Sequence, residues 1–115
     1  MVVQSMFNHP NGLPRTLSRE DAAEKVRELV AEGGRVVWMP HAFERMEERD
    51  ITSTQIYNVL LRGEVFEDPK WSSKFDNWEV GFQDISAGDW LIVRVALDIE
   101  QLMGEVVLVI TAFVK

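Results

Sequence analysis

The stretch His41-Ala-Phe-Glu-Arg-Met-Glu-Glu-Arg49 sets one imidazole and two guanidiniums four residues apart. Steps of four bring side chains to the same side of a helix, so His41, Arg45 and Arg49 form a row. A histidine changes charge near neutral pH and can take or give a proton. An arginine grips phosphate or carboxylate with two parallel N–H donors. The row therefore holds the residue types needed to bind a phosphodiester and move a proton. It also reads as a solvated face, because Glu44, Glu47, Glu48 and Asp50 surround the arginines and Arg45–Glu48 stands at i, i+3. In that second reading His41 hydrogen-bonds locally beside Trp38, and the arginines staple their helix to an acidic sheet.

Two further polar residues stand out in apolar strands. Arg94 is the only basic residue inside the two longest predicted strands, on the face opposite Leu91 and Val93. Thr111 interrupts the apolar run of the last strand, at the parity of Val107, Val109 and Phe113. Its hydroxyl could line a site, although a β-branched residue satisfied by a neighbour is the commoner case. Trp71, Trp78 and Trp90 have the faces to stack bases but read better as covers for a sheet. The chain has no glycine-rich phosphate loop, nucleophile elbow or paired-carboxylate signature. It has no cysteine, which excludes disulfides and thiolate zinc sites. Neither a metal nor a cofactor is expected.

The elements that must carry these residues follow from spacing and turn chemistry. Residues 1–15 mix Asn, Pro and Gly without periodicity and read as an irregular arm. Ser18 is a predicted N-cap, Glu20 and Asp21 suit a first turn, and Ala22, Val26, Leu29 and Val30 make one apolar stripe. Gly33-Gly34 closes that helix, which occupies 16–34. Arg35 to Met39 is a short strand, and Pro40 suits the first position of the motif helix. That helix directs Ala42, Phe43 and Met46 toward a core. Thr52 with Gln55 makes a capping box, Ile51 with Ile56 a hydrophobic staple, and Gly63 stops the next helix. Asp50-Ile51 is then a tight corner.

Beyond Gly63 the period changes to that of strands. Glu64–Glu67 is short, Lys70–Asp76 reads as a loop, and Asn77–Ile85 alternates with Trp78, Val80 and Phe82 on one face. Ser86-Ala-Gly-Asp89 is a hairpin turn leading into a strand with Leu91, Val93, Val95, Leu97 and Ile99 inward. Glu100–Gly104 turns the chain, and Glu105–Val114 returns as a strand predicted to be buried on both faces. The expected fold is α+β: N-terminal helices on one face of a mostly antiparallel twisted sheet of about four to five strands, in a single domain of 115 residues.

Charge bears on partners. The total is −7, and from Glu64 onward four Lys/Arg face ten Asp/Glu. Between Arg35 and Gly63 the count is four against four. Nucleic-acid binding normally shows as a basic patch, so DNA is not expected and any RNA contact must use the motif helix. No apolar run reaches the roughly 18 residues of a membrane span, and no signal-peptide pattern opens the chain, so a cytoplasmic location is the default expectation.

His41-Ala-Phe-Glu-Arg-Met-Glu-Glu-Arg-Asp-Ile51, then Val59-Leu-Leu-Arg-Gly-Glu-Val65 and Val109-Ile-Thr-Ala-Phe113, resemble a small bacterial family, the domain of unknown function 4258. The resemblance covers about 35 to 114, leaving the first helix as an added element. That family is similar in layout to toxins of the RelE, BrnT and MqsR kind, within the barnase–EndoU–colicin–RelE group of ribonucleases. The resemblance implies metal-independent RNA cleavage: His41 as general acid or base, Arg45 and Arg49 on the phosphate, Thr111 or Arg94 positioning it from the sheet. RNA and a cognate antitoxin-like protein would be the partners. RelE-like toxins are typically basic, whereas this chain is acidic. The competing expectation is a non-catalytic protein-binding module or homo-oligomer whose His/Arg helix is structural.

Overall fold

Ser18 opens the first helix as its spacing predicts, with its Oγ accepting from the Asp21 N–H at 3.0 Å. The computed structural model describes residues 17–31, 36–98 and 106–115. The predicted arm, the Gly33-Gly34 stop and the Glu100–Gly104 turn lie outside the described residues. In chain order the elements are α1 (Arg19–Ala31), β1 (Val36–Trp38), α2 (Pro40–Arg49), α3 (Ser53–Arg62), β2 (Glu64–Val65), β3 (Lys70–Ser72), β4 (Asn77–Ser86), β5 (Asp89–Asp98) and β6 (Val106–Val114). No helix among the described residues is long and apolar enough to cross a membrane.

The strands form one six-stranded sheet in the order β1-β6-β5-β4-β2, with β3 also paired to β4. All neighbours are antiparallel except β1 and β6, which are parallel. The fold is α+β, with one more strand than the upper expectation. The extra one is β3, read from sequence as loop: three residues are too few to show a period, and pairing with β4 decides their conformation. Its Trp71 stands edge-on to Trp78, ring centroids 5.5 Å apart.

The core lies on one side of the sheet. Val26 and Leu29 of α1, Ala42 and Met46 of α2, and Ile56, Val59 and Leu60 of α3 meet Val80, Phe82, Val93, Val95, Leu97, Val107 and Val109 there. Phe43 does not join them. It is 56% exposed and packs against Trp38 at 5.8 Å between ring centroids. β6 is a central strand, but its burial is one-sided: Val107, Val109 and Ala112 are buried while Leu108, Ile110, Thr111 and Phe113 are half-buried.

Local signals fix how α2 enters and leaves. Pro40 is its first residue, and Asp50 ends it in the left-handed region at φ 54°, turning the chain into α3. The Thr52–Gln55 capping box is complete: Gln55 N–H donates to Thr52 Oγ1 at 3.2 Å and Thr52 N–H to Gln55 Oε1 at 2.8 Å. The β4–β5 hairpin turns through Ala87 and Gly88, both with positive φ (52° and 87°). A turn of this kind suits Asn-Gly, and alanine is strained there. Ala87→Asn is therefore expected to stabilise the protein by about 0.5–1 kcal/mol, read as a higher urea midpoint.

Candidate functional site

Two structural devices place the candidate residues. β1 ends at Trp38, and Met39 N–H makes a further bond to the Val109 carbonyl at 3.0 Å. From there α2 continues along the same edge of β6 in place of a strand. The second device is a bulge in β6: the register runs Arg94↔Thr111 and then Val95↔Val109, leaving Ile110 as the extra residue. A strand alternates faces with period two, so one inserted residue reverses the parity beyond it. Thr111 is accordingly on the face opposite Val107 and Val109, beside Arg94. This corrects the sequence parity, which put Thr111 with the core-facing valines.

The sheet row so formed is Gly81, Arg94 and Thr111, one residue from each of β4, β5 and β6. Arg49 reaches its end from α2. Its guanidinium donates to the Ala112 carbonyl at 2.7 Å, and the same nitrogen lies 3.5 Å from Thr111 Oγ1. The guanidinium carbon sits 6.0 Å from the centre of the Phe113 ring. Arg94 is paired with Glu67 through Nη1 and lies 5.6 Å over the Phe66 ring. The missing side chain at Gly81 makes this possible, since a Cβ there would come within 2.8 Å of Phe66 and 3.0 Å of Glu67 Oε1. Arg49 and Thr111 are thus brought together, while Arg94, the register neighbour of Thr111, turns the other way across β4 to Glu67.

His41 and Arg45 are not part of that group. His41 is eight residues from Arg49, roughly 12 Å along the helix axis at 1.5 Å per residue. Its side chain is 80% exposed, with Nδ1 3.4 Å from Glu44 Oε2. Arg45 donates to Glu48 at 3.0 Å, an exposed i, i+3 pair. The position beside Trp38 that the structural reading gave to His41 is taken by Phe43. His41 opens instead on a separate pocket of about 250 Å³ on the side of the sheet away from α1 and α3, with Asn77 and Glu79 of β4 among its lining. Sequence reading missed Glu67, Asn77 and Glu79. Glu67 is 27 residues from Arg94 and only the fold joins them.

Among the described residues no group of three or more His, Asp or Glu is placed to hold a metal ion. The arrangement is one of cations already held: Arg45 by a carboxylate of its own helix, Arg49 by a backbone carbonyl of β6, Arg94 by a carboxylate of the β2–β3 connection. The arginine staple exists, though Arg49 reaches the sheet's backbone rather than its acids.

No curated protein and no solved structure matches this chain. The family model described as a domain of unknown function, DUF4258, matches residues 38–114, from the last residue of β1 through α2, α3 and the rest of the sheet. The chain belongs to the DUF4258 family.

Proposed function

We propose that this chain is a non-catalytic protein-binding module in which α2 is a structural strut. The observation that carries the reading is that each candidate arginine ends on an oxygen of the chain itself: Arg45 on Glu48, Arg49 on the Ala112 carbonyl and Arg94 on Glu67. A phosphate would have to displace these partners on a protein of net charge −7. The position of His41 points the same way. A general base must touch the proton it removes, and a ribose 2′-hydroxyl lies next to its phosphate. A histidine about 12 Å along the axis from Arg49 does not serve a phosphate held there. Val37, Met39, Phe75, Ile85 and Trp90 are meanwhile exposed and apolar. Large exposed apolar groups of this kind are common at protein-binding surfaces. A second copy of the chain or an antitoxin-like protein is the class of partner.

The adjacency of Arg49 and Thr111 favours a second reading, RNA cleavage with His41 moving the proton. Expression of the wild type, His41→Ala and Arg45→Ala in a bacterial host separates the two. The binding-module reading expects equal growth and intact RNA in all three. Growth arrest with RNA breakdown in the wild type, relieved by His41→Ala, would establish the nuclease instead.

A further inference from the structure

The outer face of the sheet, turned away from α1 and α3, does not read as a face built for water. An antiparallel sheet solvated on one side alternates apolar with polar residues along its strands. Here the outward positions of β1, β5 and β6 hold Val37, Trp90, Ile92, Leu108, Ile110 and Phe113. Val37 and Trp90 are exposed, as are Phe75 and Ile85 at opposite ends of β4. β6 is the clearest case. It is apolar at every position from Val106 to Ile110, the pattern of a strand covered on both faces, yet the described residues cover it on one.

Ala96, 3% exposed, sits between Glu79 and Leu108 in the register and is too small to fill its place on this face. It leaves a hollow of about 250 Å³ with Met39, Phe75, Leu108 and Ile110 around it. So apolar a lining gives ordered water few partners, whereas the side chains of a facing surface fill it. The charges on the face are of both signs: Lys70 is beside Glu79 in the register, and Arg94 is joined to Glu67. A strongly acidic or basic partner therefore gains nothing here, and a chain of net charge −7 meets a copy of itself with least repulsion on such a face. The extent is right as well. Five strand positions about 4.8 Å apart, with strands of ten residues at about 3.3 Å each, make a face of roughly 800 Å², the area each partner buries in a standard interface.

We infer that the outer face pairs with the same face of a second copy, giving a closed two-fold dimer of four layers: helices, sheet, sheet, helices. The partner's sheet covers the second face of β6, and its side chains enter the hollow over Ala96. Sheets packed face to face lie about 10 Å apart, so the outward residues interdigitate as in a domain core. The inference rests on the binding-module reading, whose partner it names. RNA breakdown in the growth assay defeats that reading, whereas a monomer with intact RNA defeats the dimer alone.

Sedimentation equilibrium of the full chain across the micromolar range tests it, with Phe75→Asp, Leu108→Glu and, on the helix side, Leu61→Asp as variants. The expected result is a monomer–dimer equilibrium that Phe75→Asp and Leu108→Glu weaken about tenfold or more, because each buries a charge in an apolar interface. Leu61→Asp, at an exposed position of α3, is expected to leave it unchanged. Far-UV circular dichroism checks the fold of each variant. Phe75 is 64% exposed in the β3–β4 turn, so its replacement keeps the fold even where Leu108→Glu does not. In a sample mixing isotope-labelled and unlabelled chains, NOEs between copies are expected at Leu108, Ile110 and Phe113. Four results would each overturn the assignment: a monomer throughout, whatever part of its own chain covers the face; association that continues past the dimer; NOEs between copies confined to another surface; or an equilibrium that Phe75→Asp leaves unchanged.

Discussion

Gly63→Ala is expected to destabilise the protein by about 3 kcal/mol, the upper part of the usual overpacking range. The sequence reading gives this glycine the ordinary role of a helix stop, in which only glycine accepts a left-handed backbone. The structure gives another reason. Gly63 has φ −75°, open to any residue, and its N–H donates to the Val59 carbonyl at 2.8 Å. A Cβ built on it would lie 2.6 Å from the Val59 oxygen and 2.6 Å from the Gln83 oxygen. Both are backbone atoms, of α3 and β4, so neither can swing away as the tip of a side chain would. Relief requires the helix end and the strand to move apart. Arg27 is committed to the same junction, donating to the carbonyls of Leu61 at 3.0 Å and Gly63 at 2.6 Å. Urea unfolding of the variant measures the loss. Gly81→Ala offers the comparison, because its nearest atoms belong to the side chains of Phe66 and Glu67, which can turn aside. A cost for Gly63→Ala no greater than that for Gly81→Ala would show that the junction yields easily.

The contrast between helices and sheet shows what could be read in advance. A helix is announced by neighbours in sequence: Ser18 with Asp21, Pro40, and Thr52 with Gln55 are local, and each is found doing what its position predicts. Sheet pairing is set by residues far apart, and its finer features leave little local trace. β3 is three residues long and exists because β4 lies beside it. The bulge at Ile110 sits in an unbroken apolar run, and nothing in Val-Ile-Thr-Ala tells where one residue is skipped. The sequence parity therefore puts Thr111 on the wrong face. Arg94 was legible as an unusual strand residue, but its partner Glu67 and the space lent by Gly81 are properties of the assembled sheet. The His41–Arg45–Arg49 row was legible as a row. Its division into a histidine at an apolar pocket, an arginine paired within the helix and an arginine on a sheet edge was not, because that depends on where β1 stops.

Arg49→Ala is expected to cost about 1.5–2 kcal/mol, while Arg45→Ala, one turn earlier, is expected to change stability by less than about 0.5 kcal/mol. The two residues are the same type on the same helix, so the difference isolates what each touches. Arg45 pairs with Glu48 across an exposed helix face, 45% and 58% exposed. Such pairs exchange readily with water and salt. Arg49 meets the Ala112 carbonyl at 2.7 Å, on the strand edge that β1 no longer covers. A charged donor to a backbone carbonyl is stronger than a neutral one, and removing it leaves that acceptor to whatever water can reach it. The guanidinium plane also lies by Phe113, so truncation loses packing as well as charge. Arg49→Lys retains the charge but loses the planar fork, and should recover part of the stability. Urea unfolding at low and high salt provides the reading: the Arg49→Ala loss should persist in salt, since it is a short, partly buried contact, whereas any Arg45→Ala effect should fade. The reverse outcome, with Arg45 costly and Arg49 free, would mean that α2 is not held to β6 by this bond. Arg49 would then be available to a phosphate, and the strut reading of the helix would give way to the nuclease.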